Sequence, residues 1–123
     1  MPIRDAAPLG APCWIELFSS DTHAAETFSG ELFGWSAEHA GDEYGGYINF
    51  SKDSAPVAGC MKNDGSAGMP DAWFTYLATG DIDAVAATAT ANGGQVHVAP
   101  IAVMQLGSMA QISDPGGAAI GAR

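Results

Sequence analysis

Basic residues are scarce: the 123 residues include 4 Lys and Arg against 14 Asp and Glu, a formal net charge of -10. A nucleic-acid binder needs a basic footprint to neutralise phosphates, and Arg4, Lys52, Lys62 and Arg123 cannot make one. The same shortage disfavours an anionic membrane surface as partner. No apolar run approaches the roughly 18 residues of a membrane span, and the opening Met-Pro-Ile-Arg-Asp-Ala-Ala-Pro lacks the apolar stretch of a secretory signal, so the expected compartment is the cytoplasm. Two cysteines, Cys13 and Cys60, are too few for a disulfide scaffold and lack zinc spacing; both are expected to be reduced and buried. Aromatic residues make up 9% of the chain, too few for composition to argue anything, so their placement must. What is present is apolar material: 47% of residues are hydrophobic, enough for one ordinary globular domain with its own core.

That domain is made twice. Shifting the chain against itself by about 60 positions, an internal repeat, brings Leu17 onto Leu77, Asp21 onto Asp81, Ala24 onto Ala84 and Gly34 onto Gly94, with Trp14 on Phe74. In each copy an alternating apolar stretch (Cys13 to Ser19; Trp73 to Thr79) runs into an Asp able to cap a helix, and the helix closes at glycine. The helices are expected near Asp21 to Phe33 and Asp81 to Asn92. Their helically spaced apolar residues, Ala24, Phe28 and Leu32 in one and Ile82, Val85 and Ala89 in the other, are expected to pack on a sheet. Three strands follow each helix: near Trp35 to Asp42, Tyr44 to Ser51 and Val57 to Lys62, then near Gln95 to Val103, Ser108 to Ser113 and Ala118 to Ala122. Pro100 predicts a bulge or an edge strand, and Asp114-Pro-Gly-Gly117 a turn. The expectation is a single domain over 1–123, with module one at about 10–63, a linker from Asn63 to Pro70, and module two at about 71–123.

Strand parity divides the faces. Ile15 and Leu17 share one, while Trp14, Glu16 and Phe18 share the other, as do Phe74 and Tyr76. Tyr47 and Asn49 likewise stand opposite Ile48 and Phe50.

Two copies of strand-helix-strand-strand-strand resemble the vicinal oxygen chelate superfamily of glyoxalases, extradiol dioxygenases, fosfomycin-resistance enzymes and bleomycin-resistance proteins. The match is carried by Pro12-Cys-Trp-Ile-Glu-Leu17, Asp21 with Ala24-Ala25, Phe28, Leu32-Phe-Gly-Trp35, Asn92-Gly-Gly94 and Met109-Ala-Gln-Ile-Ser-Asp-Pro-Gly-Gly-Ala118. It is nearest to actinobacterial hydroxylase-like members. The resemblance implies an α+β fold of two tandem βαβββ modules whose mixed sheets curl around a cavity, and a homodimer. It also implies up to four metal ligands, His, Gln or Glu, on first and last strands. Those positions carry Trp14, Phe74 and Gly121 here, and the strand from Val57 to Lys62 supplies only Gly59, Cys60 and Met61 at the fourth. Aromatic rings and glycine cannot ligate a hard or borderline cation, so no metal and no cofactor are expected.

The candidate ligand-binding set is Trp14, Glu16, Tyr47, Asn49, Phe74, Tyr76, Met104, Met109 and Gln111. Flat rings with a few polar tips suit a planar or cationic organic molecule, and Glu16 could anchor a cation. The plainer alternatives are that the rings fill the cavity and that Glu16 is solvated. The leading expectation is metal-independent binding or sequestration of a small aromatic, cationic molecule, as in the drug-sequestering branch. The rival is an enzyme (lyase, isomerase or dioxygenase) using Glu16 as a base or a rebuilt metal site of Glu16, His39 and His97. His23, His39 and His97 show no metal-ligand spacing. A third possibility is a module serving association alone.

Overall fold

The computed structural model describes residues 6–41, 45–102 and 107–123. The expected strand residues Asp42, Tyr44 and Val103 and the candidate site residue Met104 lie outside them. The chain forms two compact units: Trp14–Phe74, and Thr75–Arg123 together with the segment up to Cys13.

The first unit contains β1 (Pro12–Ser19), α1 (Thr22–Phe33), β2 (Ser36–His39), β3 (Ile48–Lys52) and β4 (Ala55–Lys62). Asp21 starts the helix, its carboxylate accepting the Ala24 N–H at 3.0 Å, and Gly34 ends it in the left-handed region at φ 71°, which glycine adopts without steric cost. The strands lie in the order β2-β3-β4-β1, with β1 parallel to β4 and the other pairs antiparallel. A two-residue turn joins β3 to β4, with Asp53 and Ser54 both at positive φ, the geometry that matches strand twist. β2 is shorter than its predicted stretch, although the Ala40 N–H still donates to the Tyr47 carbonyl at 2.9 Å.

Ile48, Phe50, Ala58 and Cys60 form the buried core of this unit, with Ile15, Leu17 and Trp35 packed against it. Trp35 stacks on Phe33 at 4.9 Å and leans on Phe50 at 5.6 Å between ring centroids. The helix corrects one expectation. Ala24, Phe28 and Leu32 do share a stripe, but the stripe faces solvent, with Phe28 64% and Leu32 57% exposed. The shielded stripe is Ala25, Ser29 and Gly30; small side chains let the helix backbone come close to the sheet, where Phe28 would hold it away.

The second unit contains the end of β5 (Ala72–Leu77), α2 (Ile82–Ala91), β6 (Gln95–Ala102), β7 (Ser108–Ser113) and β8 (Ala119–Ala122). Its strand order is β5-β8-β7-β6, with β5 parallel to β8. Asp81 caps α2 as Asp21 caps α1. At Asp114 the side chain accepts the Ala118 N–H and the carbonyl accepts the Gly117 N–H, both at 2.9 Å, closing the expected turn. Pro100 falls within a register shift of the β6–β7 pair. Tyr76, Ala110 and Ala122 are buried here. No residue of α2 is fully buried; Ile82, Val85 and Ala89 are half-buried.

Candidate functional site

Pairing register sets a cross-strand row of side chains in each unit. In the first, Glu38, Asn49, Gly59 and Glu16 stand opposite one another across β2, β3, β4 and β1. In the second, the corresponding row is Val98, Gln111, Gly121 and Tyr76. Both rows have glycine at the strand that pairs in parallel with the first strand, and in both a tyrosine lies over that glycine.

In the first unit that tyrosine is Tyr47, two residues before Asn49. A Cβ on Gly59 would collide with the Tyr47 hydroxyl and would come within 3.2 Å of Trp14 Nε1. With glycine there, the Tyr47 hydroxyl donates to Glu16 Oε2 at 2.9 Å and accepts from the Trp14 indole N–H at 3.3 Å. Glu16 and Tyr47 are each only 6% exposed, while Trp14 and Asn49 are half-buried. A carboxylate taken out of water is costly unless hydrogen-bonded, and a donor aimed at an ionised acceptor is among the stronger hydrogen bonds. The Tyr47 hydroxyl supplies such a donor to Glu16. Phe74 is also buried in this unit, its ring meeting Phe18 edge-on at 6.4 Å.

In the second unit the ring of Tyr76 itself covers Gly121, so closely that a Cβ there would overlap ring carbons. Tyr76 is fully buried, and Gln111 Nε2 donates to its hydroxyl at 2.9 Å. Met109, half-buried, precedes Gln111 on the same face. The candidate residues therefore gather into two clusters: Trp14, Glu16, Tyr47 and Asn49 in one unit, Tyr76 and Gln111 in the other. Sequence reasoning treated Gly59 and Gly121 only as missing ligands. Their role as seats for aromatic rings depends on register, and the sequence signal for it was a glycine inside each strand pattern.

The residues set aside for an alternative metal site have other roles. His39 Nε2 lies 3.1 Å from Glu26 Oε2 on the surface, with side chains 59% and 33% exposed. His97 Nε2 lies 2.9 Å from the Ser113 hydroxyl, and His23 is exposed on the first turn of α1. Among the described residues, no three His, Cys, Asp or Glu side chains converge. The positions that the resemblance assigns to ligands hold Trp14, Phe74, Gly121 and, on β4, Gly59, Cys60 or Met61, and Tyr47 and Tyr76 fill the space above Gly59 and Gly121. These residues do not fit a divalent cation.

Cysteine chemistry is equally quiet. Cys60 is buried as expected, but Cys13 is exposed, because it lies near the start of β1. Leu17 rather than Cys13 stands opposite Cys60, and both thiols are free. Burial, then the negative charges of Glu16 and Glu26, push the Cys60 thiol up to about 11; partial burial also raises Cys13, with Arg123 working the other way. Neither is poised as a thiolate nucleophile. A polar clasp closes the expected linker: the Asp71 carboxylate accepts from the Ser20 N–H and hydroxyl and from Asn63 Nδ2. The Ser20 donors hold that carboxylate below its usual range, with smaller help from Asn63 and Lys62.

Comparison with known proteins places these details in context. The sequence profile of the Glyoxalase/Bleomycin resistance protein/Dioxygenase superfamily matches residues 13–121. The anthracycline biosynthesis protein DnrV of Streptomyces peucetius is 38% identical over 124 residues, covering 89% of this chain and 45% of that protein. CFP32 of Mycobacterium tuberculosis is 34% identical over 125 residues, covering 98% of this chain and 48% of its own length. The chain thus spans about half the length of these curated relatives. Among solved structures, a methylmalonyl-CoA epimerase variant of Streptomyces coelicolor superposes with a TM-score of 0.63 at 17% identity, covering 94% of each chain. A Vibrio splendidus protein gives 0.56 at 12% identity, covering 89% of this chain and 94% of its own. These structural likenesses speak to the fold alone.

Proposed function

Because the chain belongs to the glyoxalase/bleomycin resistance protein/dioxygenase superfamily, we propose that it binds a small planar organic cation without a metal, at the cluster of Trp14, Glu16, Tyr47 and Asn49. The observation that carries this reading is the hydrogen-bond relay from the Trp14 indole through the Tyr47 hydroxyl to the buried Glu16 carboxylate. It places a carboxylate among aromatic groups and away from solvent, where attraction to a cation is less screened than at the surface. Trp14 and Asn49, the half-exposed members, are the surfaces a ligand meets first: one to stack on, one to hydrogen-bond. One relative is named as an anthracycline biosynthesis protein, which makes an anthracycline the probe of choice. Sequestration of such a compound is the role we assign, with a homodimer as the working assembly.

The test is a titration of the protein with a fluorescent anthracycline. Saturable binding that weakens at least tenfold in Trp14→Ala supports the proposal; equal affinity in the variant overturns it.

One observation favours the enzyme reading: Glu16 is a buried carboxylate in a fold that hosts catalysis elsewhere, the position of a general base. A metal-dependent version would raise the thermal midpoint of chelator-stripped protein on addition of Mn, Fe, Ni, Zn or Mg ions. The donor set described above predicts no shift with any of them.

A further inference from the structure

The cross-strand row that carries Glu16 ends in a second carboxylate. Glu38 stands on β2, the outermost strand of the first unit, and register sets it opposite Asn49, with Gly59 and then Glu16 next in the row. Its chain neighbours fix the face it occupies. Ala37 packs against the buried core and His39 meets Glu26 of α1, so both lie on the helix side of the sheet. Strand alternation sends Glu38 to the other side, the side of Glu16 and Asn49. Neighbouring strands lie about 4.8 Å apart, so three spacings separate the two glutamates by about 14 Å along the backbone. The two ends of the row are held differently. Glu16 is buried and accepts from Tyr47. Glu38 is exposed and Asn49 half-buried, and among the described residues neither side chain has a hydrogen-bond or ionic partner. Lys52 and Lys62 give their ammonium groups to the carbonyls of Phe33 and Ser20, so neither serves as the counter-charge of Glu38.

We propose that Glu38 is a second anchor of the ligand site and that the class of molecule it selects is a planar dication, with one cationic end at Glu16, the other at Glu38 and the flat frame lying along Asn49. The inference rests on the ligand-binding reading of the Glu16 cluster and narrows it. A monocation reaches one carboxylate of the row. A rigid frame with a cation at each end reaches both, and the second attachment of a molecule already bound costs little further association entropy. Because Glu38 is exposed, its ion pair is a modest one, and a gain of about fivefold in affinity is the scale to expect. Added salt shrinks that gain, since a charge in contact with solvent is screened.

The test is calorimetric titration of the chain with DAPI, a planar compound carrying an amidinium at each end, and with its analogue lacking the amidine on the phenyl ring. The parent chain is expected to bind DAPI about fivefold more tightly than the analogue. Glu38→Gln is expected to remove that margin while leaving the analogue's affinity unchanged, whereas Glu16→Gln weakens both compounds. Glu31→Gln makes the same change in net charge at an exposed position of α1 and is expected to leave both affinities as they are. Equal binding of DAPI by the parent and by Glu38→Gln overturns the second anchor and leaves the single-anion reading standing, since the analogue still binds. A loss in Glu31→Gln as large as in Glu38→Gln assigns the effect to net charge and overturns it as well. If the parent binds neither compound saturably, the ligand-binding reading itself fails, and this inference with it.

Discussion

The two units solve one packing problem with different chemistry. Each places a tyrosine over a strand glycine and satisfies its hydroxyl from the same side of the sheet. In the second unit the Tyr76 hydroxyl accepts from the neutral amide of Gln111, and the ring, fully buried, serves as filling. In the first, the tyrosine comes from a different strand position, leaving room in the row for Glu16, and the hydroxyl donates to a carboxylate. The repeat thus keeps the ring and changes what the ring holds. A module freed from supporting its own row with an aromatic side chain can carry a charge there instead, and that is where ligand chemistry is expected.

The units also differ on the opposite face, and this difference yields the largest predicted effect. Phe50 is fully buried in the first unit's core, so Phe50→Ala should cost about 3–5 kcal/mol in urea unfolding. Ile112, half-buried beside an open α2 hollow, should cost only about 1–2 kcal/mol as Ile112→Ala, because part of its surface is already wet. Equal costs would erase the contrast.

Overpacking the two ring seats comes next. Gly121→Ala drives a Cβ into the body of a ring that cannot move, and about 3 kcal/mol of destabilisation is expected. Gly59→Ala meets mainly the hydroxyl end of Tyr47, which can tilt, so a smaller loss, about 1–2 kcal/mol, should accompany loss of the bond to Glu16. A reversed order in chemical denaturation would contradict this ranking of the two seats.

Removing each hydroxyl sharpens the comparison further. Tyr47→Phe strips a buried carboxylate of a donor and should cost about 1–3 kcal/mol, whereas Tyr76→Phe removes a neutral bond worth about 1 kcal/mol. The smallest effect is one of pH. Asp71, whose carboxylate is held below its usual range by Ser20 donors, favours folding when ionised. That contribution is present above the ordinary value of 3.8 and is lost as pH falls through the lower folded value. Stability measured across this acid range should therefore fall less steeply in Asp71→Asn than in the parent chain; identical slopes would show that the clasp carries no proton linkage.

Much of this was legible from residue order. The alternation of β1 separated Trp14 and Glu16 from Ile15 and Leu17, and the alternation around Ile48 put Tyr47 and Asn49 together, because a strand's side chains have a strict period of two. Helix starts were legible at Asp21 and Asp81, which both cap as expected. The direction of α1 was not. Spacing shows which residues share a stripe, but Phe28-Leu32 and Ala25-Ser29 are both valid stripes, and close approach to the sheet decided in favour of the small one. Nor could alternation reveal that Tyr47 lies over Gly59 and touches Glu16, since that follows from the pairing of three strands distant in sequence.

The most direct test of the central claim, that the first unit's buried carboxylate holds a planar cation, is calorimetric titration with one anthracycline in its amino form and in its N-acetylated, neutral form. Parent chain and Glu16→Gln would be compared side by side. The account predicts that the parent binds the amine at least tenfold more tightly than the neutral compound and that Glu16→Gln abolishes this preference. An equal preference in both chains, or no saturable heat from either, would contradict it.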